Sequence, residues 1–198
     1  EDVLLINGLF PKNLAKLADK LNIPLFHITT DCVYSGNKGS YSENDYFDVN
    51  DMYGMSKNAG ENTDCMTIRT SIIGEEIKNK YSLLEWAISQ KGQTVTGFSN
   101  HLWNGVTTLY LAQIIEKIFL ENKYAKGIFH IFSPRIVTKD ELLSLFNNSY
   151  QLSLIIMKAA APRPVDRSLA SIYPLSEDVS TKDLRLQITE MHDFFSAE

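Results

Sequence analysis

A short apolar run that ends in two threonines and an aspartate limits the fold of this 198-residue chain more than any other stretch. The run "IPLFHI" covers residues 23–28, and "TTD" follows at residues 29–31. A nearly continuous apolar run of this length is typical of a strand buried on both faces. Such strands belong to parallel sheets covered by helices, so this run predicts an α/β protein.

Helical and strand patterns alternate along the rest of the chain. Apolar positions recur near every 3.6 residues over residues 3–21, which predicts a helix, and Asn50 or Asp51 is suited to cap a second helix over residues 52–63. Thr138 and Glu141 have the spacing of a capping box before another helix. Further strands are predicted at residues 65–74, 127–133 and 152–157, and further helices at residues 82–90, 106–121 (with Thr107 or Thr108 near its start) and 181–195.

Composition excludes several classes of protein. No apolar run approaches the roughly 20 residues of a membrane-spanning helix, so a soluble protein without a membrane partner is expected. The net charge of −5 is spread along the chain, which argues against nucleic-acid binding. The two cysteines, Cys32 and Cys65, form neither a disulfide framework nor a metal-ligand spacing, and the four histidines show no such spacing either. We therefore expect no metal and a reducing, cytoplasmic location.

The stretch "YGMSK", residues 53–57, contains two candidate catalytic residues. Tyr53 and Lys57 are four residues apart on a predicted helix, so their side chains project from the same face. A nearby ammonium lowers the pKa of a phenol and fits it for proton transfer near neutral pH. Thr30, at the end of the preceding strand, could hold a substrate oxygen beside Tyr53. A YxxxK pair also arises by chance in many helices, so its weight depends on this context.

The whole stretch "HITTDCVYSGNKGSYSENDYFDVNDMYGMSKNAGE" resembles extended short-chain dehydrogenase/reductases that act on nucleotide sugars. It is most similar to the dTDP-4-dehydrorhamnose reductase group, for which "STDYVFDG…Y.E.D…N.YG.SK..GE" is expected. "TIRTSIIG" resembles the "RTSW" strand of that group, and "PRPVDRSL" resembles its "RP..S.L" segment. The resemblance implies a Rossmann-like doubly wound parallel sheet with a smaller α/β substrate-binding region.

The resemblance also implies roles for individual residues. Tyr53 is the general acid, Lys57 tunes it and holds the nicotinamide ribose, and Thr30 orients the substrate. The implied activity is NAD(P)-dependent hydride transfer to or from C4 of a nucleotide-linked deoxysugar, in surface polysaccharide or deoxysugar biosynthesis. The implied cofactor contacts are Thr29, Tyr53, Lys57, Thr70 and Ser71, and the implied substrate contacts are Thr30, Asp31, Trp103, Asn104, Arg163 and Arg167, of which Arg167 is the candidate for the diphosphate.

Two departures bear on these expectations. Ile72 replaces the tryptophan of "RTSW", and "GFSNHLWNGVTT" replaces a "DQ.G.PT" loop, so the identity of the sugar stays open. The chain also contains no G-x-G-x-x-G or G-x-x-G-x-x-G turn for the cofactor pyrophosphate. Residues 1–98 are therefore expected to be the remainder of an NAD(P)-binding domain whose first strands lie upstream. Residues 99–198 are expected to be mainly substrate-binding, with some segments returning to the first domain.

Three questions stay open at this level. The choice between NADP and NAD is normally written in a part of the fold that the sequence does not contain. A non-catalytic regulatory or binding subunit with the same fold is the alternative to an enzyme, as is a fragment that cannot hold cofactor. Dimers are common among such proteins, which leaves a homodimer open.

Overall fold

The computed structural model describes residues 2–197 and has an α/β architecture with mainly parallel strand pairing. The helices are α1 (Asp2–Leu4), α2 (Phe10–Lys20), α3 (Met52–Gly60), α4 (Leu83–Ser89), α5 (Thr108–Leu120), α6 (Lys139–Ser149), α7 (Leu175–Val179) and α8 (Leu184–Ser196), with a π-helical turn at Leu5–Leu9 and a 3-10 turn at Asp31–Val33. The strands are β1 (Phe26–Thr30), β2 (Met66–Thr70), β3 (Ile72–Ile73), β4 (Thr94–Phe98), β5 (His101–Trp103), β6 (Val106–Thr107), β7 (Gly127–His130), β8 (Val137–Thr138), β9 (Ile155–Ala159) and β10 (Val165–Asp166).

The main sheet has the order β1-β2-β7, and all of its pairs are parallel. β1 begins at Phe26 rather than at Ile23 as predicted, because Pro24 has no amide hydrogen for a sheet bond. It extends to Thr30, so both threonines lie inside the strand. The predicted strand at residues 65–74 is two strands, which separate at Ser71: β2 pairs with β1 and β7, whereas β3 pairs with β6.

Two apolar clusters form most of the core. One lies between β2 and α5 and includes Met66, Ile68 and Ile114. The other is formed by α4, α6, α8 and the strands near them, with Leu84, Phe146 and Ile188 fully buried. β7 comes from the second half of the chain but joins the sheet of the first half. The division of the chain at residue 98 stays a prediction.

Helix starts follow the local capping signals. Asp51, Thr107 and Thr138 each accept a hydrogen bond from a backbone amide in the first turn of the following helix. The Thr138 capping box is complete, since Glu141 also accepts from the Thr138 amide (3.0 Å). Among residues 2–197, no helix is long and apolar enough to cross a membrane.

Candidate active site

The end of β1 fixes the first group of polar side chains. Thr29 and Thr30 are both buried, and Thr30 pairs in register with Thr70 of β2. The Thr30 hydroxyl accepts from the Cys32 amide (3.1 Å) and donates to Oδ1 of Asp31 (3.3 Å). The chain therefore turns at the carboxyl end of the strand, where open α/β sheets bind their ligands.

Helix α3 carries Tyr53 and Lys57 to the same edge of the sheet. Asp51 starts the helix by accepting from the Gly54 amide (2.8 Å). A Cβ on Gly54 would overlap the carbonyl oxygen of Cys32 and lie 2.7 Å from Val49 Cγ1. The missing side chain lets the helix approach the turn after β1 closely, which places Tyr53 beside the threonines.

These elements enclose a cleft of about 360 Å³, which we call the Tyr53 cleft. It brings together the residues that the resemblance assigned to catalysis and cofactor. The cleft is lined by Ile28, Thr29, Thr30, Asp31, Cys32, Tyr53, Lys57, Thr70, Ser71 and Ile72.

A second cleft of about 420 Å³, which we call the Trp103 cleft, continues from the first. Both clefts are lined by Asp31, Cys32, Ser71 and Ile72, so they form one groove. Trp103 is buried, and its indole NH donates to the Ser71 hydroxyl (2.8 Å). The cleft is lined by Asp31, Cys32, Ser71, Ile72, Ile73, Ser82, Leu83, His101, Leu102, Trp103, Lys139, Val165 and Arg167.

The pKa of Tyr53 moves in the opposite direction from the one predicted. Burial raises the pKa of this phenol, and the charges of Cys32 and Asp31 act in the same direction, while the neighbouring Thr30 hydroxyl lowers it. The prediction that the Tyr53 pKa is lowered is therefore wrong for this structure, because desolvation of the phenolate outweighs the favourable interactions. Tyr53 is thus a protonated phenol at neutral pH.

Asp31 stands where the two clefts meet. Burial raises the pKa of its carboxyl group, and the charge of Arg167 opposes that shift. The Arg167 guanidinium contacts Cys32, with 3.7 Å between Nη1 and Sγ. Sequence reasoning assigned both Asp31 and Arg167 to the substrate, and the structure brings them into one cleft although they are 136 positions apart in the sequence.

Two of the predicted substrate contacts do not reach these clefts. Asn104 is buried, and its side chain donates to the Leu169 carbonyl and accepts from the Leu169 amide (both 2.8 Å). These two bonds give Asn104 a structural role, and its contact with substrate stays a prediction. Arg163 is exposed and donates to Asn37 Oδ1 (3.2 Å), outside the groups that line the two clefts, so its contact with substrate also stays a prediction.

Lys139 lines the Trp103 cleft and was missed by the sequence analysis. It is the first residue of α6, directly after the Thr138 cap. A cation at this position opposes the helix dipole, which favours negative charge at a helix start. This conflict was the one signal in the sequence that could have pointed to it.

A nicotinamide cofactor fits the Tyr53 cleft by the polar groups that line it. Oγ1 of Thr29 is buried and has no hydrogen-bond partner among the described residues. It belongs to the same cleft as Tyr53, Lys57 and Thr70. A buried hydroxyl without a partner is costly, and a bound polar group would satisfy it. Among residues 2–197 there is no cluster of three His, Cys, Asp or Glu side chains that could hold a metal ion.

Comparison with known proteins identifies the family of this chain. The family model described as the RmlD substrate binding domain matches residues 1–189. The chain belongs to this family.

Two curated relatives are similar over much of this RmlD-family chain. The spore coat polysaccharide biosynthesis protein SpsK of Bacillus subtilis (strain 168) is 26% identical over 175 residues, which are 81% of this chain and 60% of that protein. The dTDP-4-dehydrorhamnose reductase of Aggregatibacter actinomycetemcomitans is 28% identical over 148 residues, 69% of this chain and 50% of that protein. The chain thus spans between half and three fifths of the length of these relatives.

Solved structures confirm the predicted fold. A Bacillus anthracis dTDP-4-dehydrorhamnose reductase, solved in complex with NADP, superimposes with a TM-score of 0.76 at 18% identity. The match covers 97% of this chain and 72% of that one. At this identity the likeness shows the Rossmann-like α/β fold and no more.

Proposed function

We propose that this chain supplies the proton-transfer and substrate-binding part of an NADP- or NAD-dependent oxidoreductase. The proposed reaction moves hydride to or from C4 of a nucleotide-linked deoxysugar, as in deoxysugar or surface polysaccharide biosynthesis. The observation that carries the proposal is the Tyr53 cleft, which joins a phenol, an ammonium and a strand-end hydroxyl (Tyr53, Lys57 and Thr30). Family membership and the names of the two curated relatives support it.

The protonation state of Tyr53 favours reduction of a ketone. Burial raises the pKa of the phenol, so Tyr53 carries the proton that a developing alkoxide needs. As the substrate oxygen gains negative charge, the Tyr53 O–H bond breaks and a new O–H bond forms on the substrate. The ammonium of Lys57, in the same cleft, stabilises the phenolate that remains.

The other residues of the groove position the reactants. The Thr30 hydroxyl, which donates to Asp31, can turn to donate to the substrate oxygen beside Tyr53. Trp103 and Arg167 line the adjoining cleft and are proposed to contact the sugar and the diphosphate. Thr29, Lys57, Thr70 and Ser71 would hold the nicotinamide nucleotide. When bound, it supplies the hydride.

The proposal is tested by replacing the acid. Tyr53→Phe keeps the ring and removes the proton, so oxidation of NADPH or NADH in the presence of a dTDP-4-keto-6-deoxysugar should fall by about 10²–10⁴-fold. Tyr46→Phe is the matched control, because Tyr46 is 90% exposed and outside both clefts. A Tyr53→Phe protein that keeps most of its rate would refute the assignment.

A regulatory or binding subunit is separated from an enzyme by the same experiment. A subunit of that kind binds the nucleotide sugar but does not oxidise the reduced nicotinamide. Its Tyr53→Phe variant would bind the sugar nucleotide as well as the unmodified protein does. Binding without turnover in the unmodified protein would therefore replace the reductase proposal with this alternative.

The proposed setting is the cytoplasm and the proposed assembly is a homodimer. Cys32 and Cys65 are both free thiols, which suits a reducing compartment. Leu5, Leu9 and Leu17 are at least half exposed on the amino-terminal helical segment, an apolar surface that a second copy could cover. Light scattering of the purified protein at several concentrations tests the homodimer.

A further inference from the structure

Lys139 lies where the Trp103 cleft meets a third, more apolar cleft. The third cleft has a volume of about 590 Å³, and we call it the Phe98 cleft. Leu83, His101 and Lys139 line both of them. The Phe98 cleft is lined by Leu83, Trp86, Gln90, Thr94, Val95, Thr96, Phe98, His101, Lys139 and Leu143.

The backbone of Lys139 is held rigidly. Thr138 caps α6 through its side chain, and Glu141 completes the capping box by accepting from the Thr138 amide. On the far side, Gly97 of β4 packs so closely that a Cβ there would lie 2.7 Å from the Cα of Asp140. The start of α6 is thus fixed against the sheet, and its first side chain reaches the junction of the two clefts.

The charge of Lys139 has no ionic partner in the part of the chain that the structure describes. Its ammonium makes no hydrogen bond or ion pair within residues 2–197, whereas Lys158 nearby pairs with Asp140 (3.1 Å) and Lys182 pairs with Glu190 (2.6 Å). Burial lowers the pKa of the Lys139 ammonium, and the charge of Asp31 opposes this shift. The helix dipole at the start of α6 disfavours the cation further.

Arg167 also lacks an ionic partner in the part of the chain that the structure describes. Its Nε is buried without a hydrogen-bond partner among the described residues, and Nη1 contacts only a thiol there. The Trp103 cleft therefore holds two cations, Lys139 and Arg167, and one carboxylate, Asp31. Two partly buried cations that face one acid are unfavourable unless an anion binds between them. This excess of positive charge occurs in a chain whose net charge is −5.

We propose that Lys139 is a substrate-binding residue that holds the diphosphate of a nucleotide sugar together with Arg167. The inference rests on the proposed function, because it takes its ligand from the same groove. The diphosphate lies at the junction, with the sugar in the Trp103 cleft and the nucleoside in the Phe98 cleft. The apolar and aromatic lining of the Phe98 cleft suits a flat base, and two cations suit a diphosphate better than a neutral group.

The test measures binding of thymidine diphosphate and of thymidine by calorimetry, without cofactor. Lys139→Met should weaken thymidine diphosphate binding about tenfold or more, while thymidine binding should change less than about twofold. Lys139→Arg keeps the charge and should stay within about threefold of the unmodified protein. Lys158→Met is the matched control, since it removes the same charge beside α6 but outside the clefts, and should stay within about twofold.

Three outcomes would overturn the inference. They are an unmodified protein that binds no thymidine diphosphate, a Lys139→Met variant with unchanged affinity, and equal losses in Lys139→Met and Lys158→Met. The last would mean that only the general charge of this surface matters. Circular dichroism and a thermal melt establish that each variant is folded, and Lys139→Gln carries the same test if Lys139→Met does not fold.

The outcome is separable from that of the reductase proposal. Thymidine diphosphate binding that depends on Lys139, in a protein that oxidises no reduced nicotinamide, would keep this inference and refute the reductase. Turnover that depends on Tyr53, with the same KM for the nucleotide sugar in Lys139→Met, would keep the reductase and refute this inference.

Discussion

The two ends of the groove differ in how far the chain completes them by its own contacts. In the Trp103 cleft the aromatic wall is held by hydrogen bonds, since the Trp103 indole donates to Ser71 and Asn104 behind it is bonded to Leu169 through both polar atoms. The cations of this cleft, Lys139 and Arg167, are the groups left without an ionic partner among the described residues. In the Tyr53 cleft Tyr53 is 51% exposed, and the Thr29 hydroxyl is buried without a partner among the described residues. The wall of the substrate end is thus preorganised and leaves cations free for a ligand, whereas the cofactor end leaves a neutral hydroxyl group free.

The largest effect is expected from a substitution that moves α3, the helix that carries Tyr53. Gly54→Ala puts a methyl group against the Cys32 carbonyl and Val49, so α3 must shift away from the end of β1. We expect a loss of about 1–3 kcal/mol in unfolding free energy, measured by urea titration, together with loss of turnover.

Gly8→Ala is the control for this change. A Cβ at Gly8 meets the nearest atom, Cβ of Ala59, at an ordinary 3.6 Å. Gly8→Ala should therefore be neutral or stabilising, because alanine favours a helix more than glycine does. Equal destabilisation by both variants would show that the close approach of Gly54 does not position α3.

A smaller effect is expected at the Trp103 end. Trp103→Phe keeps an aromatic ring in the wall but removes the donor to the Ser71 hydroxyl. A double-mutant cycle with Ser71→Ala should give a coupling energy of about 1 kcal/mol in urea unfolding. Additive losses in the two single variants would mean that this hydrogen bond does not stabilise the wall.

The smallest effect is expected at Asp31, which lines both clefts. It is small because the charge of Arg167 offsets part of the rise that burial causes in the Asp31 pKa. The pKa of Asp31 is raised in the folded protein, so the folded state holds this proton more tightly than the unfolded chain does. The unfolding free energy then falls as pH rises from the ordinary aspartate pKa of about 3.9 to the folded value, and this contribution is constant above it.

Asp31→Asn has no such proton and should be more stable than the unmodified protein at pH 7. The difference should shrink as pH falls toward 4 and below, which urea unfolding at several pH values can follow. Asp64→Asn, which removes a carboxylate at an exposed position, is the control. A variant that is less stable than the unmodified protein at pH 7 would mean that the attraction between Asp31 and Arg167 outweighs burial.

Sequence patterns predicted the long elements well and the short strands poorly. The helices that begin after Asp51, Thr107 and Thr138 lie where their caps predicted, because a cap depends on residues two or three positions away. β4, β5, β8 and β10 were missed, and the two residues of β6 were assigned to the helix that follows them. β5, β8 and β10 are only two or three residues long, and β4 includes Gly97, so none of them shows a clear apolar alternation.

The sequence by itself determined the strand-end hydroxyls of Thr29 and Thr30 and the shared helix face of Tyr53 and Lys57, since both follow from local periodicity. Only the tertiary structure brought Arg167 and Lys139 into one cleft with Asp31, and only it bonded Asn104 to Leu169. The tertiary structure also decided the direction of the Tyr53 pKa shift, because burial depends on packing between distant segments. Spacing along a chain fixes which side chains share a face, but desolvation and ion pairing depend on which segments the fold packs together.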